Sequence, residues 1–530
     1  MKRLLTAGIL AVVATWAFAT GAQAAPGDVT FVQCYAGLST DGCTDIGPTT
    51  LSNPHEVVVS SDGTRVYTAG GGTLTAFSRA GDGSLTFLSC LGATTGCTVP
   101  SISLGAADNL AISPDGADLY VTDFGDGQGN PNAGKVIHVK PGTGSSMTVQ
   151  DCIGSDETGP CVAPSMDAMQ RPLDLAMSPS GSHLYLTSFN ANSMKLSRFT
   201  IATLARGGGG PLTLTSCIGE DGTFGCTDGP DELTGVSTVA VSGDSGRVFA
   251  GGSNGLLHFA QSAGSLTFVD CLNSPEDCDE INGRPLSTVA QIAVGASTLF
   301  ALNDETVSEI AFGASGLNYL ACIGTDVFAF GETCGAEPSH EAFDSSYDIA
   351  ASPDGGVAYV AFEEGIATVV SDNEGALSST KCVTDAGAGA CTDPPNDVLS
   401  SPTSLAVSAD GSSVYMLARD SSALVHFTTG EAGGGDTDPP DTEITKGPKA
   451  KTKSKKATFE FTGSDDTSGS GALTFECSLD GEAFGDCLSP TAYSGLKKGK
   501  HAFEVQATDE AGNTDQSPAK QTWKIAKKKK

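Results

Sequence analysis

From residue 29 to residue 429 apolar and polar residues alternate in short runs, each closed by an Asp-Gly or Gly-rich turn. A period of two marks a strand with one covered face, and Asp-Gly between two such runs marks a hairpin. One copy reads Asn109-Leu110-Ala111-Ile112-Ser113-Pro114-Asp115-Gly116, followed by the apolar run Leu119-Tyr120-Val121-Thr122. Its relatives include Val57-Val58-Val59-Ser60-Ser61-Asp62-Gly63, Leu175-Ala176-Met177-Ser178 and Leu405-Ala406-Val407-Ser408. Taking Ser60 and its equivalents at 113, 178, 242, 295, 352 and 408, the period is 53, 65, 64, 53, 57 and 56 residues. Seven units of four antiparallel strands are predicted.

The fourth strands decide how the units close. Leu85-Thr86-Phe87-Leu88-Ser89-Cys90 and Leu266-Thr267-Phe268-Val269-Asp270-Cys271 end their units, whereas the seventh stops after Leu424-Val425-His426-Phe427. Val29-Thr30-Phe31-Val32-Gln33-Cys34 supplies the missing run from the beginning of the chain. An all-β fold is therefore expected: a seven-bladed β-propeller over 25–429, closed by an N-terminal strand so that no free sheet edge remains.

A Gly/Asp/Pro linker follows at 430–440. Beyond it, Thr458 to Phe461, Leu473 to Leu479 and Ala502 to Thr508 again alternate, with Phe459, Phe461, Phe475, Cys477, Phe503, Val505 and Trp523 as the expected inward set. This predicts a small β-sandwich over 441–526.

The 530 residues hold 62 acidic and 29 basic side chains, a net charge of −33. Residues from Asp441 onward carry 15 basic and 13 acidic groups, a net +2, which leaves −35 on the rest. The large region repels nucleic acid and anionic membrane. The lysines between Lys446 and Lys456, with the basic tail Lys527 to Lys530, are the one expected contact for an anionic cell wall, or else solvated side chains.

Lys2 and Arg3 precede an apolar run from Leu4 to Ala19 and the small-x-small site Ala22-Gln23-Ala24. Residues 1–24 read as a secretory signal peptide, its apolar run of about 16 residues short for a bilayer span. Export gives the sixteen cysteines their meaning. They form eight close couples: Cys34/Cys43, Cys90/Cys97, Cys152/Cys161, Cys217/Cys226, Cys271/Cys278, Cys322/Cys334, Cys382/Cys391 and Cys477/Cys487. Disulfides are expected, since a zinc site would need two couples to converge as four ligands.

With Leu119-Tyr120-Val121-Thr122-Asp123, the Ser-Pro-Asp-Gly turns and Asn53-Pro54-His55-Glu56-Val57, the stretch 29–429 resembles Tyr-Val-Thr-Asn surface-layer repeats and bacterial seven-bladed lactonase-like propellers. That group spans sugar lactonases, a muconate-cyclising enzyme and proteins of unknown role, so the resemblance implies fold more than activity. Phe475-Glu476-Cys477-Ser478-Leu479-Asp480-Gly481, with Ala507-Thr508-Asp509-Glu510-Ala511-Gly512-Asn513, resembles immunoglobulin-like modules of exported bacterial proteins, which act as spacers or adhesive units.

Candidate chemistry clusters where each repeated strand begins. The position two residues before the strand's Ala or Val reads Glu56, Asn109, Asp174, Thr238, Gln291, Asp348 and Ser404 around the ring. Glu56, Asn109, Asp174 and Asp348 are the candidate metal ligands, calcium being the ion suited to such oxygens; equally, polar residues here cap strand ends. His55, beside Glu56, is the one candidate general base. His138, His258 and His426 share a strand position and read as packing residues, while His340 reads as a loop residue. Gly251-Gly252-Ser253-Asn254-Gly255 matches a nucleophile elbow, but between two strands it reads as a hairpin turn. Trp16 leaves with the signal and Trp523 belongs to the sandwich, so sugar stacking in the propeller lacks a Trp platform. Two functions compete. One is a secreted or surface-associated binding scaffold for an unknown protein or small molecule, without cofactor. The other is a lactonase-like hydrolase of a small cyclic ester with a metal in its channel.

Overall fold

The computed structural model describes residues 28–526 except 38–41, 48–50, 125–133, 143, 145, 155–160, 165–167, 193–194, 209–211, 273–277, 279–285, 287, 304–305, 314–315, 325–333, 337–345, 372–375, 386–390, 395–396, 430–439, 465–472, 509–513 and 516. The proposed signal 1–24, nearly all of the linker, His340 and the tail Lys527 to Lys530 lie outside the described residues. The chain is all-β; among the described residues the helical turns are two short 3₁₀ segments, Glu220–Gly225 and Asp231–Leu233.

Seven sheets, each built on four antiparallel strands, occupy 29–429. In six of them the strands follow one another in chain order. The first contains Pro54–Val59, Arg65–Gly70, Thr73–Arg79 and Leu85–Gly92. The seventh takes three strands from Pro402–Val407, Ser413–Ala418 and Ala423–Thr429, and its fourth is Val29–Ala36. That strand runs antiparallel to Ala423–Thr429, from Val29 opposite Thr429 to Ala36 opposite Ala423. Phe31 packs edge-on against Phe427, ring centroids 6.2 Å apart.

The first strands of the sheets touch in cyclic order, Pro54–Val59 against Leu110–Ile112 and so on to Pro402–Val407, which returns to Pro54–Val59. Each of the seven interfaces between neighbouring sheets has its own apolar cluster. Tyr415, Leu417 and Leu424 of the seventh sheet meet Val57, Val66 and Phe77 of the first. Second and third strands are therefore covered on both faces: every residue of Leu119–Asp123 and of Val357–Phe362 is buried. This explains their continuous apolar runs, as double coverage removes the need for alternation.

Fourth strands alternate, being outermost. In each one the residue two before the cysteine is skipped in the pairing: Val32, Leu88, Gln150, Thr215, Val269, Leu320 and Thr380. Such bulges turn an edge away from further pairing. All eight cysteine couples form disulfides, and no cysteine is free. In the seven sheets each one folds the connection back onto the fourth strand, and in six of them the returning residues make a short parallel pairing, such as Tyr35 with Thr44 and Ile218 with Thr227. The local pattern gives no sign of this parallel addition, because it is only one or two residues long.

Beyond the linker, a three-stranded sheet (Asp441–Lys446, Ala457–Ser464, Thr491–Tyr493) and a five-stranded one share a core. Phe459, Phe461, Cys477, Phe503, Val505 and Trp523 are buried there, with Phe475 packed beside them. Phe459 stacks on Phe503 with centroids 3.9 Å apart.

Truncating Phe427 to Ala should lower the unfolding free energy by about 3–5 kcal/mol, as for other buried Phe residues. Val32→Glu, on the outward bulge, should change it by less than about 0.5 kcal/mol. Denaturant titrations check both; equal effects would contradict the pairing described here.

Candidate functional site

The seven ring positions lie where the first strands begin, and a bulge sets their direction. Pro54 pairs with Gly70 and Glu56 with Ala69, so His55 is skipped; the same slip precedes Asp174, Thr238, Asp348 and Ser404. A one-residue slip reverses the face a side chain takes. His55 is bonded to Asn53 and Glu56 to Ser404 of the seventh sheet.

Each ring residue with a described partner reaches toward the neighbouring sheet. Asp174 Oδ2 accepts from the Val239 amide at 2.8 Å and the Thr238 hydroxyl at 3.0 Å, and its Oδ1 accepts from Leu175 N at 2.7 Å. Asp348 Oδ2 accepts from Leu405 N at 2.6 Å. Ser404 Oγ donates to Glu56 Oε1 at 3.1 Å and accepts from Val57 N at 3.2 Å. Asn109 Nδ2 donates to the Leu173 carbonyl at 2.7 Å, and Thr238 Oγ1 lies 3.1 Å from Gln291 Oε1. Three times the same device recurs: a side-chain oxygen at a ring position takes the amide just after the ring position of the next sheet. It works as a latch between sheets.

The carboxylates are half-buried by accessible surface yet surrounded by protein. Desolvation disfavours their charged forms. Asp174 is pushed up to about 6, chiefly by burial, against the pull of the Val239 and Thr238 hydrogen bonds. Asp348 rises to about 7, again by burial first, with Asp174 adding repulsion. Glu56 is raised well above the ordinary carboxylate range by burial and then by the charges of Asp348 and Asp174.

Glu56, Asn109, Asp174 and Asp348 thus share one ring, but the structure turns them toward neighbouring strands. Among the described residues no three His, Cys, Asp or Glu side chains stand together as a metal-holding group. Asp174 accepts hydrogen bonds at both oxygens, while Asp348 Oδ2 and Glu56 Oε1 are each turned toward a donor of the neighbouring sheet. His55 lies 3.0 Å from Asn53 Nδ2 through its Nε2, and burial lowers its pKa while Asp108 opposes that. It has no hydrogen bond to Glu56 among the described residues.

The remaining histidines pack. His138 is held between Asp118 at 2.7 Å and Asp151 at 3.2 Å and stacks on Tyr120; His258 stacks on Phe249 and His426 on Tyr415. Burial lowers His426 to about 4. Gly252 and Gly255 pair across Ser253-Asn254, a hairpin with no helix after it. Two arginine clamps escaped the sequence reading. Arg79 of the first sheet reaches Asp410, Ser412 and Tyr415 of the seventh, and Arg206 of the third grips Asp115 and Asp118 of the second. Asp115 is thereby held down at about 2, first by Ser113 and then by Arg206.

No family model matches the chain, and no curated protein matches it. Similar solved structures include a functionally unknown protein from Desulfotomaculum acetoxidans (15% identity, TM-score 0.44, 71% of this chain and 92% of that one). Another is a protein from Bacteroides uniformis provisionally named 6-phosphogluconolactonase (14%, 0.42, 65% and 86%). A third is Kuenenia stuttgartiensis hydrazine synthase (15%, 0.43, 74% and 97%). At these values the likenesses have no bearing on activity.

Raised carboxylate pKa values carry a definite sign. Between the unfolded value near 4 and the folded values, the native state holds protons the unfolded chain has released, so stability rises as pH falls through that window. Melting temperature should increase from about pH 8 to about pH 5. Asp348→Asn should flatten this slope, while His426, which acts oppositely below its unfolded pKa, is common to both proteins. Parallel slopes for the two would remove the raised carboxylate.

Proposed function

We propose that the seven sheets form a closed seven-bladed β-propeller, that the C-terminal unit is an immunoglobulin-like sandwich, and that the whole is an exported, non-catalytic binding scaffold. Cyclic contact of the first strands and an apolar cluster at every interface support the closed ring. Eight disulfides and no free cysteine fit an oxidising compartment, in line with the signal read at 1–24. Among the described residues no helix is long and apolar enough to cross a membrane.

The latches carry the choice of a scaffold. A catalytic carboxylate must present a free oxygen to its substrate or metal, and a general base must reach the proton it removes. Asp174 is engaged at both oxygens, Asp348 Oδ2 and Glu56 Oε1 accept hydrogen bonds that join one sheet to the next, and none of the three is bonded to His55 among the described residues. On this reading the ring is a rigid support, and the ligand, a protein or a small molecule, is met on a face of the propeller by loop residues. The lactonase-like hydrolase, with His55 moving protons and Glu56, Asp174 or Asp348 on a metal, is the alternative; no distance in the site favours it.

Purified full-length protein, assayed by proton release with sugar lactones and other small cyclic esters, should show no protein-dependent rate, with or without added calcium. Turnover abolished by His55→Ala would overturn the scaffold. Asp174→Ala should cost about 1–3 kcal/mol of stability, the penalty for stranding the Val239 and Thr238 donors, as read by denaturant unfolding.

A further inference from the structure

The five-stranded sheet of the C-terminal unit runs in the order Lys451–Thr452, Ala519–Ile525, Gly499–Thr508, Thr474–Leu479, Gly485–Asp486. Lys451 stands opposite Lys524, and Lys524 opposite Lys500. The alternate residues Trp523, Ile525 and Phe503 point into the core, so the three lysines share the outer face, and all three are exposed. With strands about 4.8 Å apart, the three lysines leave the backbone within about 10 Å of one another.

Folding gains nothing from this row. Like charges directly opposite one another destabilise a sheet. Among the described residues no carboxylate lies within ion-pair distance of Lys451, Lys500 or Lys524, whereas Lys520 is matched by Glu504 and Lys446 by Glu460. Beside the row lies a shallow hollow of about 840 Å³ lined by Lys500, Lys520, Lys524, Ala502 and Thr522 and by two carboxylates, Asp480 paired with His501 and Glu504 with Lys520. Its edge is fixed by His501, which is bonded to Asp480 and to the Lys497 carbonyl at 2.7 Å each and stacked on Trp523.

We propose that the row Lys451–Lys524–Lys500, with its hollow, binds a linear phosphodiester polymer on a polyol backbone. The C-terminal region from Asp441 contains no arginine, so recognition rests on lysine point charges, which phosphate oxygens accept without a bidentate fork. Trp523 is 3% exposed and Phe503 is fully buried, so neither offers a ring on which a base could stack, which favours a polyol over a nucleotide chain. Small Ala502 leaves room for the backbone, and exposed Thr522 offers it a hydroxyl. The −35 charge of the remaining chain confines the polymer to this unit. This surface is separate from the ring, and its occupancy is tested without reference to the scaffold reading.

The probe is poly(glycerol phosphate) added to the full-length protein, with binding read by fluorescence anisotropy of a labelled polymer. Wild type should bind with a log–log salt slope of about −2, the value for three neutralised phosphates on a single strand. The triple variant Lys451→Gln/Lys500→Gln/Lys524→Gln should bind at least about tenfold more weakly and melt at a higher temperature, because it loses the repulsion. The corresponding triple Lys→Arg variant should retain binding, and Lys446→Gln should match wild type. A triple Gln variant that binds normally would overturn the proposal, as would a Lys446→Gln protein that loses binding equally. Equal affinity for poly-γ-glutamate would overturn the phosphodiester, and equal affinity for oligothymidylate the polyol. Salt-sensitive self-association of wild type, abolished in the triple Gln variant, would assign the row to the acidic surface of a second copy instead.

Discussion

An antiparallel ladder between Val29–Ala36 and Ala423–Thr429 holds the beginning and the end of the large region in one sheet. Without it Ala423–Thr429 would present an open edge, and the cluster joining the seventh sheet to the first would lose Tyr35. Edges of that kind are templates for aggregation. The entropy of joining distant segments grows only with the logarithm of the loop, so so long a closure is thermodynamically tolerable. Once made, it lets every middle strand be covered on both faces.

Inside the ring the same constraint reappears on a smaller scale. First strands converge, so their terminal amides need acceptors where little water can serve them. Asp174, Asp348 and Ser404 supply those acceptors from the adjoining sheet. Carboxylates do this at an electrostatic cost, which is why Asp348 and Asp174 are pushed toward neutrality. At the opposite ends of the strands Arg79 and Arg206 cross between sheets as well, there to the exposed Asp410 and Asp115 and to the buried Asp118.

The repeat was legible because it rests on periodicity. Seven spaced copies and eight cysteine couples are arithmetic properties of the chain, and the missing fourth strand after Phe427 pointed to residue 29. The ring positions were legible too, as places. Their orientation was not, because it depends on a bulge at His55 and its equivalents and on donors such as Leu405 N that lie 57 residues away from Asp348. Adjacent in sequence, His55 and Glu56 looked like a base and its partner, yet each is bonded elsewhere, to Asn53 and to Ser404. Lys451 read as one of a run of solvated lysines, since only the parallel pairing with Lys524 sets it in a row.

The circular ladder imposes an order on biosynthesis. Val29–Ala36 leaves the ribosome before any of the seven sheets can be completed, yet its partner strand is the last of the seventh sheet. At elongation rates of about 5–20 residues per second, nearly 400 intervening residues mean a wait of roughly 20–80 s. Throughout that interval a half-apolar ribbon must wait without its partner strand, although its Cys34 finds Cys43 only nine residues on. Six other fourth strands of similar pattern are emerging meanwhile, so this ribbon must be held in reserve against pairing with any of them.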